Sequence, residues 1–504
     1  MSAVTKYTEV KMNKLFQSID FTKMNLEPDV QQLLEQLLNH IEILVCELCE
    51  LKEENQGLRD EIARLKGGKG KPKVKANRTE DEEENNDEGK KKARKRKPRS
   101  NKNTRERKAR KERIKIDREE IIELDRNELP EDVVSKGYRE VVIQNIIFKT
   151  DNVCYRLEKL YSPATGKYYE ARMPAGLAGQ SYHSDLEALV LMFYFQLRVT
   201  QNKIQKLLTT NEIVISAGKI SNIITKKYLA QFAKEREEII KAGLKTSQYH
   251  QIDDTGAREN GVNHHTFVLG NPYYSSFFTT RYKNKATVKK LLAFLEEPAE
   301  NKKAAKELKD YIKILIGDDA PQFHEITSYR GLCWWHEIRL FDKLHLFFDY
   351  HQQMTDDFIG KLWDYYARLV KYKDAPSKKL KEELSAEFDD LLSTVTGYDE
   401  LDHRITLTRK KKEYLLLVLD FPEIPLDNNL SERALRELVL KRKISNGTRT
   451  KDGTTAWDVF FSILDTCQKN EINFYDYLRS RMSASGKMPS LASILQQHSL
   501  ATAP

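Results

Sequence analysis

The sequence has little of several things that would narrow its class. It holds only 5 Cys among 504 residues, an odd number scattered along the chain. That excludes a disulfide-framework domain and fits a reducing compartment. It has no long hydrophobic run: the longest, Leu189–Phe195, is far too short to cross a bilayer. No basic–apolar–small pattern opens the chain, so no secretory signal is expected. Hydrophobic residues make up 39% against 32% charged, a low share for a wholly compact chain, so part of it should lack a packed core. The length predicts several domains. A formal net charge of +9 fits a nucleic-acid partner without requiring one. These features together predict a soluble, cytoplasmic protein with no membrane partner.

What is present is organised around Tyr311–Arg339, YIKILIGDDAPQFHEITSYRGLCWWHEIR. The run Ile312–Ile316 is short and β-branched, which predicts a buried strand. Gly317 breaks it, Asp318 and Asp319 follow at once, and Pro321 stops extension. Acids just past a buried strand sit where open α/β sheets place their chemistry. A plain Asp-rich turn accounts for this stretch equally well when it is taken alone. Ser247–Thr255, SQYHQIDDT, has the same design, an extended segment ending in Asp253 and Asp254. Strand-like runs His265–Leu269 and Ser275–Thr280 follow it, with Asn271-Pro272 as the turn between them. Leu426–Arg436, LDNNLSERALR, offers Asp427 or Asn428 as a helix N-cap and puts Glu432 on the early turns. One acid on a first strand, one after a fourth and one on a later helix are the parts of a ribonuclease H-like two-metal site. Carboxylates suit it because Mg²⁺ is hard and oxygen-seeking, and two ions would stabilise the attacking and leaving oxygens at phosphorus.

Ile424–Gly453, IPLDNNLSERALRELVLKRKISNGTRTKDG, resembles the C-terminal signature of the insertion-sequence-66 family of bacterial DDE transposases. HQIDDT and LIGDDAPQF resemble that family's two acidic motifs. Cys333-Trp334-Trp335-His336 resembles the Cys-x-x-His element that several DDE transposases carry after the second Asp. The resemblance implies a catalytic and metal-binding triad of Asp253, Asp318 and Glu432 with two Mg²⁺ (or Mn²⁺) ions. The first member of each Asp pair is the one that aligns with the motifs. Strand alternation turns the two members to opposite faces without saying which faces the metals, so Asp254 and Asp319 stay open as alternates. The implied activity is strand cleavage at the ends of an insertion sequence, then in-line attack of the freed 3′-hydroxyl on target DNA. Double-stranded DNA and two small element-encoded helper proteins are the implied partners, and the bacterial nucleoid is the implied place. Cys333 and His336 lack further ligands in sequence, so no zinc is expected. His336, Arg339 and Arg433 join the DNA-binding candidates instead.

Taken in order, the chain predicts a mixed α/β fold. Segment 1–66 holds a heptad. Leu34, Ile41, Leu48, Asn55 and Ile62 stand at a, and Leu37, Leu44, Leu51, Leu58 and Leu65 at d. Leu at every d with one Asn at a predicts a parallel coiled coil and a homodimer or higher assembly. The pairs Glu47–Lys52 and Glu54–Arg59 match at g and e. Cys46 and Cys49 fall at f and b, away from that seam. Segment 67–113 is low-complexity. Its basic block, with Lys90, Lys91, Lys92, Arg94, Lys95 and Arg96, reads as an arm that neutralises DNA phosphates. Segment 114–175 should be a small β-rich module with strands Val141–Phe148 and Cys154–Leu160 and a turn at Ser162–Gly166. Family relatives typically carry four Cys there, whereas this chain keeps Cys154. Segment 176–245 should be helical, with a helix-turn-helix at Thr200–Lys226 offering Lys219 and Asn222 to a groove. The catalytic core should span 246–478, with Arg281 and Lys283 placed for a phosphate backbone. Glu432 lies 114 residues after Asp318, too far for a loop, which predicts an all-α insertion at about 341–420. Segment 479–504 reads as a frayed tail. Two other readings stand beside the transposase: a non-catalytic or domesticated DNA-binding derivative, and a structure-specific nuclease of the same fold.

Overall fold

The computed structural model describes residues 27–65, 116–122, 138, 141–144, 149–174, 176–293, 312–344, 346, 348–483 and 488–501. The basic block at Lys90–Arg96 lies outside them. The chain divides into two units, Leu58–Asp151 and the remainder. In Leu58–Asp151 the described residues beyond the N-terminal helix are irregular, including 141–144 of the expected strand Val141–Phe148.

The remainder starts with that helix, α1 (Pro28–Leu65). A hairpin, β1 (Lys159–Ser162) and β2 (Lys167–Glu170), closes through Gly166 at φ +63°. The turn stands where the sequence puts it, but the expected strand Cys154–Leu160 shrinks to its last two residues. Next come α2 (Ser184–Phe195), α3 (Gln201–Thr210), α4 (Ala217–Asn222), a π turn at Ile223–Lys227, and α5 (Leu229–Gly243). The sheet is built from β3 (Tyr249–Glu259), β4 (Val262–Gly270), β5 (Ser275–Thr280), β6 (Ile314–Gly317) and β7 (Tyr329–Leu332). α6 (Lys285–Ala293) lies between β5 and β6, and α7 (Trp334–Ile338) follows β7. The insertion is all-α, as its length requires: α8 (Asp349–Asp374), α9 (Lys378–Leu391), α10 (Asp399–Arg409) and α11 (Lys412–Leu415). The chain closes with α12 (Asn429–Ser445), α13 (Lys451–Lys469), α14 (Phe474–Met482) and α15 (Leu491–Ala501).

The sheet order is β5-β4-β3-β6-β7. β3, β4 and β5 form an antiparallel meander, and β6 and β7 run parallel to β3. Parallel strands need covered faces and read as continuous apolar runs, and β6 is buried throughout. Alternation splits its side chains: Ile314 and Ile316 pack with the insertion's Leu362, Tyr365 and Phe388, while Leu315 packs with Ile252, Phe267 and Phe323. The insertion is thus part of the sheet's own core, anchored by fully buried Trp334, whose indole donates to the Leu415 carbonyl at 2.9 Å.

Two boundaries differ from the sequence reading. The helical segment 176–245 has no core of its own. Phe195, Ile204, Ile223 and Phe232 join one cluster with Leu438 and Phe460 of the C-terminal helices. Within the expected frayed tail Leu491–Ala501 is helix, because Leu491 and Leu495 are fully buried in that same cluster.

The first turns of α1 dock on the insertion. Leu38 packs on Phe348, with Leu34 and Ile41 half-buried beside them. Asn39 donates to the Gly397 carbonyl at 3.0 Å, and Glu42 pairs with buried His351. The d residues Leu37, Leu44, Leu51 and Leu58 stay exposed.

Candidate active site

The site is built where α12 meets β3. Gln251 is 1% exposed, and its amide oxygen accepts from the backbone amides of Leu430 (3.1 Å) and Ser431 (3.4 Å). These are first-turn donors with no intrahelical partner, so a strand residue caps the helix. The Gln251 amide nitrogen donates to the Asp427 carbonyl at 2.9 Å. Asn428, at the N-cap position, makes no side-chain cap and instead donates to the Ile252 carbonyl at 3.0 Å. Asp427 takes the Asn429 amide at 3.0 Å. This stitching fixes the first turn of α12, which carries Glu432, against the strand that carries Asp253 and Asp254. Gln251 is the functional residue that sequence reasoning missed. Its only signal is its place two residues before Asp253, on the same strand face.

β3 does not end at its acids, as the sequence reading had it, but runs on to Glu259 with Asp253 opposite Val268 and Asp254 opposite Phe267. Alternation puts Asp253 with Gln251 and Asp254 with Ile252. Asp254 is met by cation and amide: Lys283 Nζ lies 2.8 Å from it and Gln322 donates at 2.9 Å. Lys283, read from sequence as a phosphate contact, is therefore committed within the chain. Among the described residues Asp253 has no such cation. Burial pushes its carboxyl up to about 7; the Asp254 backbone amide, donating at 2.8 Å, acts against this, and the nearby charges of Asp318, Asp254 and Glu432 add to it.

The second pair divides the same way. Asp319 is bonded to Arg330, lies 2.9 Å from Lys411 and 3.3 Å from His324 Nε2. Burial works against it, but hydrogen bonds from Lys411 and Arg330 hold its carboxyl below the usual range. Lys411 also reaches buried Glu337 at 2.8 Å, beside Arg404 at 2.8 Å, so the insertion supplies one of the two cations on Asp319 and β7 supplies the other. Asp318, just past β6, accepts the Ala320 amide at 3.2 Å. Glu432 faces His336, whose Nε2 lies 3.5 Å from a carboxylate oxygen.

Asp253 thus lies near enough to Asp318 and Glu432 for their charges to act on it, and none of the three has a Lys or Arg partner among the described residues. Half-buried carboxylates that no cation among these residues neutralises fit a hard divalent cation. Cys333 and His336, expected to lack a third ligand, do meet one. One donor atom each from Cys333, His336 and Glu432 lie within 4.8 Å of one another. Burial pushes the Cys333 thiol up to about 11, against the pull of the His336, Asn428 and Trp335 backbone amides.

Arg281, Arg339 and Arg433 are exposed, with Arg281 near the Tyr282 ring and Arg339 near the Trp335 ring. Asn222 is exposed at the end of α4, while Lys219 lies 3.5 Å from buried Glu187. Past α12 the chain turns at Asn446-Gly447, as the sequence reads. Gly447 has φ +96°, and a Cβ there would stand 2.5 Å from the Arg258 carbonyl.

The model of the Transposase IS66 family matches residues 179–456, more than half of the chain and all of the site above. The chain belongs to that family. As an IS66 family transposase it is 27% identical over 310 residues to "Uncharacterized protein y4jO" of Sinorhizobium fredii (strain NBRC 101917 / NGR234), covering 49% of this chain and 96% of that protein. It is 29% identical over 165 residues to "Uncharacterized protein y4qI" of the same organism, 30% of each. No solved structure matches. Family membership supports a transposase-related function, a DNA partner and use of a divalent metal. Among the described residues no helix of this transposase is long and apolar enough to cross a membrane.

Proposed function

We propose that this chain is a DDE transposase with a ribonuclease H-like core, acting through Asp253, Asp318 and Glu432. The observation that carries the proposal is the sorting of the acids: in each Asp pair one member is taken up by cations, and the other stands with Glu432 and no cation. A three-strand meander, a fourth strand parallel to the first and a later helix are the elements such a site uses, and the strand order here matches them. Mg²⁺ or Mn²⁺ ions, two of them, would be held by the three carboxylates and would supply charge stabilisation at the phosphorus. The chain's own part is to fix the carboxylates. Gln251 and Asn428 set Glu432 against β3, and Lys283, Arg330 and Lys411 hold the pair-mates away. Chemistry proceeds by in-line displacement. Water oxygen bonds to phosphorus as the bond to a 3′-oxygen breaks. The freed 3′-hydroxyl then repeats the displacement on target DNA.

Duplex DNA at the element's ends and at the target is the proposed partner, with exposed Arg281, Arg339 and Arg433 as backbone contacts. The basic arm would add sequence-independent affinity. The exposed d stripe of α1 is proposed as a homodimer seam. Helper proteins and a nucleoid site remain implications of the family resemblance. The test is a nicking and strand-transfer assay on DNA bearing the element's terminal repeats. Asp253→Asn, Asp318→Asn and Glu432→Gln should each bind DNA and fail to nick it. Nicking by any of the three at the wild-type rate would overturn the assignment.

A further inference from the structure

We propose that Cys333, His336 and Glu432 form a second kind of metal site, one for a thiophilic divalent cation of the zinc class. It borrows Glu432 from the catalytic set proposed above. Three observations carry it. The three donors are of three chemistries and lie within 4.8 Å of one another. A thiolate and an imidazole select zinc-class ions, whereas Mg²⁺ takes oxygen ligands, so this set is tuned to a different ion from the all-carboxylate cluster. And the His336 Nδ1 atom is buried with no hydrogen-bond partner among the described residues, while Nε2 stands 3.5 Å from Glu432. A buried ring nitrogen left unpaired costs free energy that a ligand would recover.

The backbone makes the cluster. Cys333 sits at the N-cap of α7, with its amide bonded to the Gly317 carbonyl at 3.0 Å, so the end of β6 fixes the sulfur's position. His336 is three residues on, one helical turn later and on the same side. The Trp334 amide bonds to the Leu426 carbonyl at 2.9 Å, which ties the start of α7 to the segment leading into α12 and so to Glu432. Zinc ligands at about 2.0–2.3 Å from the ion stand about 3.3–3.8 Å apart in a tetrahedron, so side-chain rotation closes the set. Three protein ligands leave a fourth position open, the pattern of a reactive rather than a closed structural site. With a zinc-class ion bound there, Glu432 is committed on the sulfur side and withdrawn from Asp253 and Asp318. The site would therefore act as a brake on the carboxylate cluster.

The test reads metal binding without DNA. Cys46→Ser, Cys49→Ser and Cys154→Ser are combined in the full chain, which leaves Cys333 and the core residue Cys467 as the sulfurs. Co²⁺ is then titrated as the spectroscopic stand-in for Zn²⁺. A sulfur-to-cobalt charge-transfer band with tetrahedral visible bands, displaced by equimolar Zn²⁺, is expected. Cys333→Ser should abolish the charge-transfer band. His336→Gln, a polar replacement at a partly exposed position, should weaken Co²⁺ binding by more than about 10-fold with an unchanged melting temperature, a loss that even a change in a ligand's hydrogen-bond partner produces. No band at saturating Co²⁺, or a band that survives Cys333→Ser, overturns the proposal. Because the readout needs no catalysis, a chain that binds Co²⁺ through Cys333 yet, stripped of it and given Mg²⁺ or Mn²⁺, never nicks DNA would sink the transposase reading and leave this one standing.

Discussion

The two Asp pairs share a sequence pattern and differ in how the chain disposes of the second acid. On β3 the pair lies within a strand, so alternation sends Asp254 to the opposite face, where Lys283 and Gln322 receive it. After β6 the pair lies in a turn. There Asp319 is drawn off by Arg330 of the neighbouring strand and by Lys411 of the insertion. A pair within a strand is parted by alternation before any cation meets it; a pair in a turn depends on cations from elsewhere to part it. That gives the long insertion a local task at the site in addition to any role with DNA.

The sharpest way to break this comparison is to neutralise one member at a time. Asp253→Asn and Asp318→Asn should each cut nicking by at least about 10³-fold, the several kcal/mol that cation-assisted charge stabilisation supplies. Their melting temperatures should hold or rise, because each change removes a carboxylate from a crowded cluster. Asp254→Asn should do the reverse, costing about 2 kcal/mol of stability by stranding Lys283, which reaches solvent and so softens the loss. A nicking assay beside thermal melts checks both. Equal loss of nicking at Asp253 and Asp254 would erase the distinction.

Gln251 tests whether the strand pair also owes its sorting to α12. Gln251→Ala removes acceptor and donor together and frees the helix start. A displacement of ~1 Å at the site costs about 100-fold in rate, while losing a cap costs about 1 kcal/mol. Nicking should therefore fall much further than stability. If kcat is unchanged while the melting temperature drops, the cap is structural only. For the turn pair the matching change is Lys411→Met, which leaves Asp319 with Arg330. It should lower stability by about 1–2 kcal/mol, discounted for Asp319's partial exposure, and lower nicking only slightly.

How much of this was legible depends on range. The strand expected at Ile312–Ile316 (found as Ile314–Gly317), the meander, the Asn446-Gly447 turn and the helix carrying Glu432 follow from local pattern, since β-branching, turn residues and caps act within a few positions. The cap by Gln251 was hidden, because 179 residues separate it from the Leu430 amide it receives. Asn428 looks like an N-cap in sequence but spends its side chain on β3. Lys283 looked free for phosphate because its partner lies 29 residues upstream. The C-terminal segment read as frayed because a short helix whose apolar residues are few shows its worth only when Leu491 and Leu495 find the cluster made by α2, α5 and α13.

The smallest expected effect comes from a group on the same strand. His250 is fully buried three residues before Asp253 and, by alternation, on the face that carries Ile252 and Asp254. A cation, Lys283, reaches Asp254; among the described residues His250 has no carboxylate partner, and its Nδ1 is unpaired. Burial therefore holds the ring neutral and pushes its pKa down to about 3, with the Gly243 backbone acting weakly the other way. The unfolded chain takes up a proton near pH 6.5, where the folded chain does not. Unfolding thus binds protons between about pH 6.5 and 3, and stability falls as pH falls through that window, by at most about 1.4 kcal/mol per pH unit from this one group. His250→Gln keeps a polar side chain with no proton to gain. Denaturant melts of both proteins from pH 7 to 5 should show wild type losing stability faster, with the gap opening only below about pH 6.5. Parallel slopes would mean that His250 is charged in the folded chain, and that burial without a partner does not decide the charge of a side chain on this face of β3.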